Sequence, residues 1–147
     1  MYYRDLDHWD AIPVATAVPL LAVGWLRAGA PMPCGPINPA VVDRIAELLA
    51  TEEGLLTSLS VDSCPFCAMP IAPISYKGMR ISMNNGRLVI PDATCCYVAP
   101  AMIMHLIVDH NYLPPARFCE AVLRCPPRRS TEYRQAIEQH WQQPINW

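Results

Sequence analysis

Cys64-Pro65-Phe66-Cys67 and, after a 37-residue spacer, His105-Leu106-Ile107-Val108-Asp109-His110 decide how this chain is read. Zinc takes four soft or borderline donors in a tetrahedron. A C-x2-C turn supplies two thiolates from one tight loop, and a histidine pair near a helix end supplies two imidazoles. The pattern therefore assigns Cys64, Cys67, His105 and His110 to one ion that pins a small β-meander to the helix after it. His105 and His110 stand about 500° apart on an ideal helix and share no face. The assignment thus needs the helix to give way at His110, where Asn111-Tyr112-Leu113-Pro114-Pro115 breaks it and an unwound last turn swings the imidazole back. Four protein ligands leave no position for a reactive water, so the expected cofactor is a structural zinc.

Three other readings of the same residues stay open. The thiols suit buried small hydrophobes, with the histidines merely polar. Cys95 or Cys96, at the end of the meander, would serve in place of one histidine. Cys-Pro-Phe-Cys is also a dithiol sequence of glutaredoxin type, whose first cysteine needs a helix N-terminus to lower its pKa. Here Ala-Met-Pro-Ile-Ala-Pro follows Cys67, and its prolines forbid a regular helix.

Outward from this stretch, hydrophobic periodicity sorts the chain into an α+β fold. Its small antiparallel β-meander, entered through the C-x2-C turn, packs against about five helices and is stapled by zinc. Ile71–Tyr76, Met79–Met83, Leu88–Ile90 and Thr94–Val98 read as the strands, with turns at Lys77-Gly78 and Asn85-Gly86. Upstream, Leu20–Leu26 reads as a short buried helix that begins after Pro19 and ends at Gly29, with Trp25 in the core. Asn38 caps a helix with Pro39 at its first position and apolar Val41, Val42, Ile45, Leu48 and Leu49, ending near Gly54. Pro100 opens the helix carrying both histidines. Pro115 opens another that buries Phe118, Val122 and Leu123, and Ser130 caps a last one over about Thr131–Gln142. Cys34, Cys119 and Cys125 read as core or boundary residues, and His8 and His140 as surface. The 147 residues make one domain, with a helical N-terminal part (1–54), a zinc-binding meander and helix (55–113) and C-terminal helices (114–147).

Composition narrows the function. Charged residues are 16 % of the chain against a usual ~25 %, so either a partner protein or a second copy covers part of the surface, or the chain is a compact monomer with a Pro-, Ser- and Thr-rich surface. Tyr2, Tyr3, Trp9, Trp141 and Trp147 are the candidate contacts, unless they pack internally. The net charge of −2, with no basic block beyond Arg128-Arg129, disfavours nucleic acid. Asp5, Asp7 and Asp10 oppose a signal peptide, and the apolar run 11–26 holds Pro13 and Pro19 and is too short to span a bilayer. Seven cysteines then belong to a reducing cytoplasm, free or metal-bound. No Ser-His-Asp order, phosphate loop or H-E-x-x-H is present. The expectation is a non-catalytic zinc-stabilised binding or interaction protein. The alternative is a metal-dependent enzyme with an open zinc site, using Asp109 or Asp92.

Two stretches also resemble a known group. Val23-Gly24-Trp25-Leu26 precedes a proline-rich loop with Cys34-Gly35-Pro36, and the segment from Tyr97-Val98-Ala99-Pro100 runs through His105 and His110 to Tyr112-Leu113-Pro114-Pro115. Together with the C-x2-C turn these resemble small bacterial proteins of unknown function sharing a GWL element and a Tyr-x-Ala-Pro…His…His-x-Tyr-x-Pro-Pro segment. The resemblance implies that both cysteines and both histidines form one site, and it implies no activity. It does not extend to Pro126-Pro127 and the helix beyond.

Overall fold

A computed structural model describes residues 1–50, 63–67, 73–82 and 86–145. In chain order the elements are β1 (Leu20–Ala22), α1 (Pro39–Leu49), β2 (Ile74–Tyr76), β3 (Met79–Ile81), β4 (Arg87–Pro91), β5 (Cys96–Pro100), α2 (Ile103–His110), α3 (Ala116–Arg124) and α4 (Thr131–Glu138). The class is α+β, with a mixed three-stranded sheet, a separate hairpin and four helices among the described residues.

The sheet departs from the expected meander. Its order is β1-β5-β4: β4 pairs antiparallel with β5 (Val89 opposite Val98), and β1 pairs parallel with β5 (Leu20 opposite Cys96). Only β2 and β3 form the hairpin read from Lys77-Gly78, and both turn residues have positive φ (45° and 81°), as a two-residue hairpin turn requires. Residues 83–85, which include Asn85 of the second expected turn, lie outside the described residues. So does the expected end of α1 at Gly54. The hairpin packs on α1 instead of extending the sheet, with the Tyr76 hydroxyl and Lys77 ammonium both donating to Asp43 (2.7 and 2.9 Å).

The expected helix at Leu20–Leu26 is a strand. A fully apolar run of this length has no period that separates a buried helix from a strand buried on both sides. Pro19 and Gly24 leave too few residues between them for helix nucleation, and β5 offers a hydrogen-bonding edge. The other edge of β1 is taken by the N-terminal arm: Leu6 and Trp9 N–H donate to the Ala22 and Leu20 carbonyls, and Ala22 N–H donates to Asp7 (2.7–2.8 Å). Among the described residues of the N-terminal part, α1 is therefore the only helix. Gly24 turns the chain at φ 81°, and a Cβ there would sit 3.3 Å from Ile103 side-chain carbons.

Trp25 is buried as expected. Its indole N–H donates to the Val98 carbonyl (2.9 Å), its ring meets Trp9 and Tyr3, and the Arg87 guanidinium lies 4.9 Å from its centroid. Every residue of β5 is buried. Of the five aromatics proposed as outward contacts, Trp9 is buried and Tyr3 and Trp141 pack against the core. Tyr2 lies under Arg27, and Trp147 falls outside the described residues.

The caps are where the sequence places them. Asn38 Oδ1 accepts the Ala40 N–H, and Ser130 Oγ accepts the Tyr133 N–H. Leu123 is 41 % exposed, contrary to expectation, because five residues from Phe118 is about 140° around the helix, off the face of Phe118 and Val122. His140 is likewise not a surface residue. It is 9 % exposed, and its Nε2–H donates to the Asp92 carbonyl (2.7 Å), tying the end of α4 to the β4–β5 turn. The buried Tyr133 hydroxyl donates to the Val89 carbonyl (2.7 Å), so α4 closes over β4. No helix among the described residues is long and apolar enough to cross a membrane.

Candidate metal centre

The C-x2-C knuckle and the end of α2 meet at a half-buried point of the molecule. One donor atom from each of Cys64, Cys67, His105 and His110 lies within 4.8 Å of the other three. His105 Nε2 and His110 Nε2 are 3.2 Å apart. Cys67 Sγ is 3.3 and 3.2 Å from them, and Cys64 Sγ is 3.4 Å from His110 Nε2. A tetrahedral zinc with bonds of ~2.3 Å to sulfur and ~2.0–2.1 Å to nitrogen sets edges of about 3.3–3.4 Å between nitrogens and about 3.5–3.6 Å between nitrogen and sulfur. The observed edges fall within a few tenths of an ångström of these, so the donor set and its spacing fit zinc.

Hydrogen bonding around the cluster agrees with the cation reading. The Phe66 backbone N–H donates to Cys64 Sγ (3.4 Å), which orients the sulfur within the knuckle. His105 Nδ1 lies 2.7 Å from Asp109 Oδ2, and a carboxylate only accepts, so the proton sits on Nδ1. That leaves the Nε2 lone pair facing the cluster. Burial, with the Cys64 thiol beside it, pushes the Cys67 thiol above its ordinary value. Cys67 thus favours the neutral thiol until a cation supplies the opposing charge.

The two histidines converge by a route other than the expected one. The helix does not unwind before His110: α2 runs through it, and Asn111 caps it in the left-handed region (φ 57°, ψ 27°). The rings stand edge-on (85°, centroids 4.9 Å), each turning its Nε2 toward Cys67, and Phe66 packs on the His110 ring (5.2 Å). Cys95 and Cys96 are buried in and beside β5 and do not belong to the cluster. Burial raises the Cys96 thiol to about 12, as it does that of Cys125. The segment after Cys67, residues 68–72, lies outside the described residues, so the proline argument against the dithiol reading rests on sequence alone.

Sequence reasoning missed Asp5. Its carboxylate accepts from the Gly24 N–H (3.0 Å) and from the hydroxyl of the fully buried Tyr112 (2.8 Å). An acid in an N-terminal arm gives no local sign of this, because both donors lie far along the chain. The contact joins the Gly24-Trp25-Leu26 turn to the His110-Asn111-Tyr112 end of α2. Cys34 bridges Tyr112, and Leu113 N–H donates to the Pro33 carbonyl (2.9 Å). The scattered sequence elements of the resemblance thus assemble along one seam beside the metal cluster.

Burial raises the Asp5 carboxyl above its ordinary value, against the lowering effect of its two donors. A raised folded value means that the native state binds the proton more tightly than the unfolded chain. Asp5 therefore subtracts stability as pH rises from the ordinary carboxylate range through the raised value. We expect Asp5→Asn to gain in melting temperature relative to the wild type as pH rises from about 4 to 7. The difference between the two proteins cancels the acid loss of any metal. A pH-independent difference would sink the assignment. Asp5→Ala, which leaves two buried donors unpaired, should cost about 2–4 kcal/mol near pH 4 and less as pH rises.

No curated protein and no solved structure matches the chain. A family model does match, over residues 1–123, which takes in the seam, both cysteines and both histidines and stops before α4. The chain belongs to the family described as Domain of unknown function (DUF7919).

Proposed function

We propose that the chain is a single zinc-stapled domain that binds another protein or a second copy of itself and performs no chemistry at the metal. One observation carries the metal reading: four donors of zinc-binding type lie within 4.8 Å of one another, and four of their six edges are close to those of a zinc tetrahedron. Two thiolates and two imidazoles fill all four positions, which supports a structural ion over a catalytic one with an open site. Seven unpaired thiols suit a reducing cytoplasm. The partner reading rests on the low charge content of the sequence as a whole, 16 %.

Native mass spectrometry of protein purified without chelator tests both parts. We expect a mass of about one zinc per chain, with dimers or higher species growing with concentration if the partner is a second copy. A metal-free mass would overturn the zinc reading. A monomer at every concentration would exclude self-association and leave a different protein as the only partner.

A further inference from the structure

We propose that Asp109 is the positioning residue of the metal site, holding the His105 imidazole in the tautomer and orientation that present Nε2 to the ion. The inference rests on the zinc reading above and adds a fifth residue to it. Asp109 is not a ligand. Its Oδ2 meets His105 on Nδ1, the ring nitrogen remote from the cluster, at 2.7 Å. The two residues stand one helical turn apart on α2, so the helix itself fixes the reach of the carboxylate.

The geometry acts on the ligand in two ways. The neutral imidazole carries one proton, and an acceptor at Nδ1 keeps it there, so Nε2 is left as a lone pair. The ring is also held against rotation, with its Nε2 3.3 Å from Cys67 Sγ and 3.2 Å from His110 Nε2. Metal-bound histidines commonly donate their other N–H to a carboxylate, and losing that partner weakens metal binding by about 10–100-fold. His110 has no corresponding carboxylate among the described contacts, so the pair is asymmetric and His105 is the ligand that depends on a helper.

The rival reading is a surface ion pair of no consequence. Asp109 is 54 % exposed and His105 only 14 %, and an exposed i,i+4 pair contributes little to stability by itself. That exposure makes the test clean, because removing the carboxylate opens no cavity in the core. The full-length chain is titrated with Zn²⁺ against a chromophoric chelator, and with Co²⁺ while its d–d absorption is recorded.

We expect Asp109→Ala to bind Zn²⁺ about 10–100-fold more weakly than the wild type, with an altered Co²⁺ spectrum. Asp109→Asn, whose side-chain oxygen still accepts the Nδ1 proton, should recover part of the loss. Wild-type affinity and an unchanged Co²⁺ spectrum in Asp109→Ala would overturn the role of Asp109 and leave the zinc site standing. A wild-type chain that binds neither metal would overturn the site and this inference together.

Discussion

Cys64→Ser and His110→Ala should each strip the ion and lower the melting temperature by roughly 10–20 °C, a loss of about 5 kcal/mol or more. The size follows from comparing two quantities. Structural zinc binds with an apparent free energy of ~10–16 kcal/mol at neutral pH, of the same order as the whole net stability of a domain, ~5–15 kcal/mol. Part of the binding energy is spent ordering the knuckle. The rest is stability beyond the apolar packing of Cys64 and Phe66, since the ligand set and the Phe66–His110 ring contact join residues 63–67 to α2. Cys34→Ser is the control, because Cys34 is exposed and is not one of the four clustered residues. Thermal melts with metal analysis on the same samples decide the matter. Metal-free Cys64→Ser that melts with the wild type would remove the structural role of the site.

Trp25→Ala should cost about 3–5 kcal/mol, the usual range for emptying a buried tryptophan position, while zinc content stays at the wild-type level. The indole holds together three parts of the molecule. Its N–H caps the Val98 carbonyl of the central strand, its ring packs on Trp9 and Tyr3 of the arm, and its face receives Arg87 of β4. The alanine variant thus loses apolar contact, a buried hydrogen bond and the seat of a buried guanidinium together. Trp25→Phe keeps most of the ring and should lose about 0.5–1.5 kcal/mol for the indole hydrogen bond, because the Val98 carbonyl still accepts from the Val23 N–H (3.1 Å). Chemical denaturation gives both values, and a Trp25→Ala cost below 1 kcal/mol would contradict this account.

What the sequence discloses here is local. Asn38, Pro39, Ser130 and Lys77-Gly78 act within a turn of themselves, and each does in the structure what its chemistry implies. The clustering of Cys64, Cys67, His105 and His110 is legible for a related reason, since soft donors in pairs are rare and each pair is local even though the two are distant. Leu20–Leu26 was misread because an all-apolar run carries no period, and the partner that makes it a strand is β5, far away in sequence. The same non-locality hid Asp5, whose donors are Gly24 and Tyr112, and His140, whose acceptor is Asp92. The four-strand meander failed because strand pattern states which segments are extended and not which neighbours they choose.

The parallel seam between β1 and β5 has a consequence for how the chain reaches its native state. Its two strands come from opposite halves of the polypeptide, and the segment that joins them must be gathered in before a single seam hydrogen bond forms. Topologies of this kind fold slowly for their size. During synthesis, Leu20-Leu21-Ala22-Val23 leaves the ribosome long before Cys96–Pro100 exists to pair with it. Until β5 is made, the nascent chain therefore carries an apolar strand whose inner edge has no partner, a natural docking point for chaperones and a segment exposed to premature association.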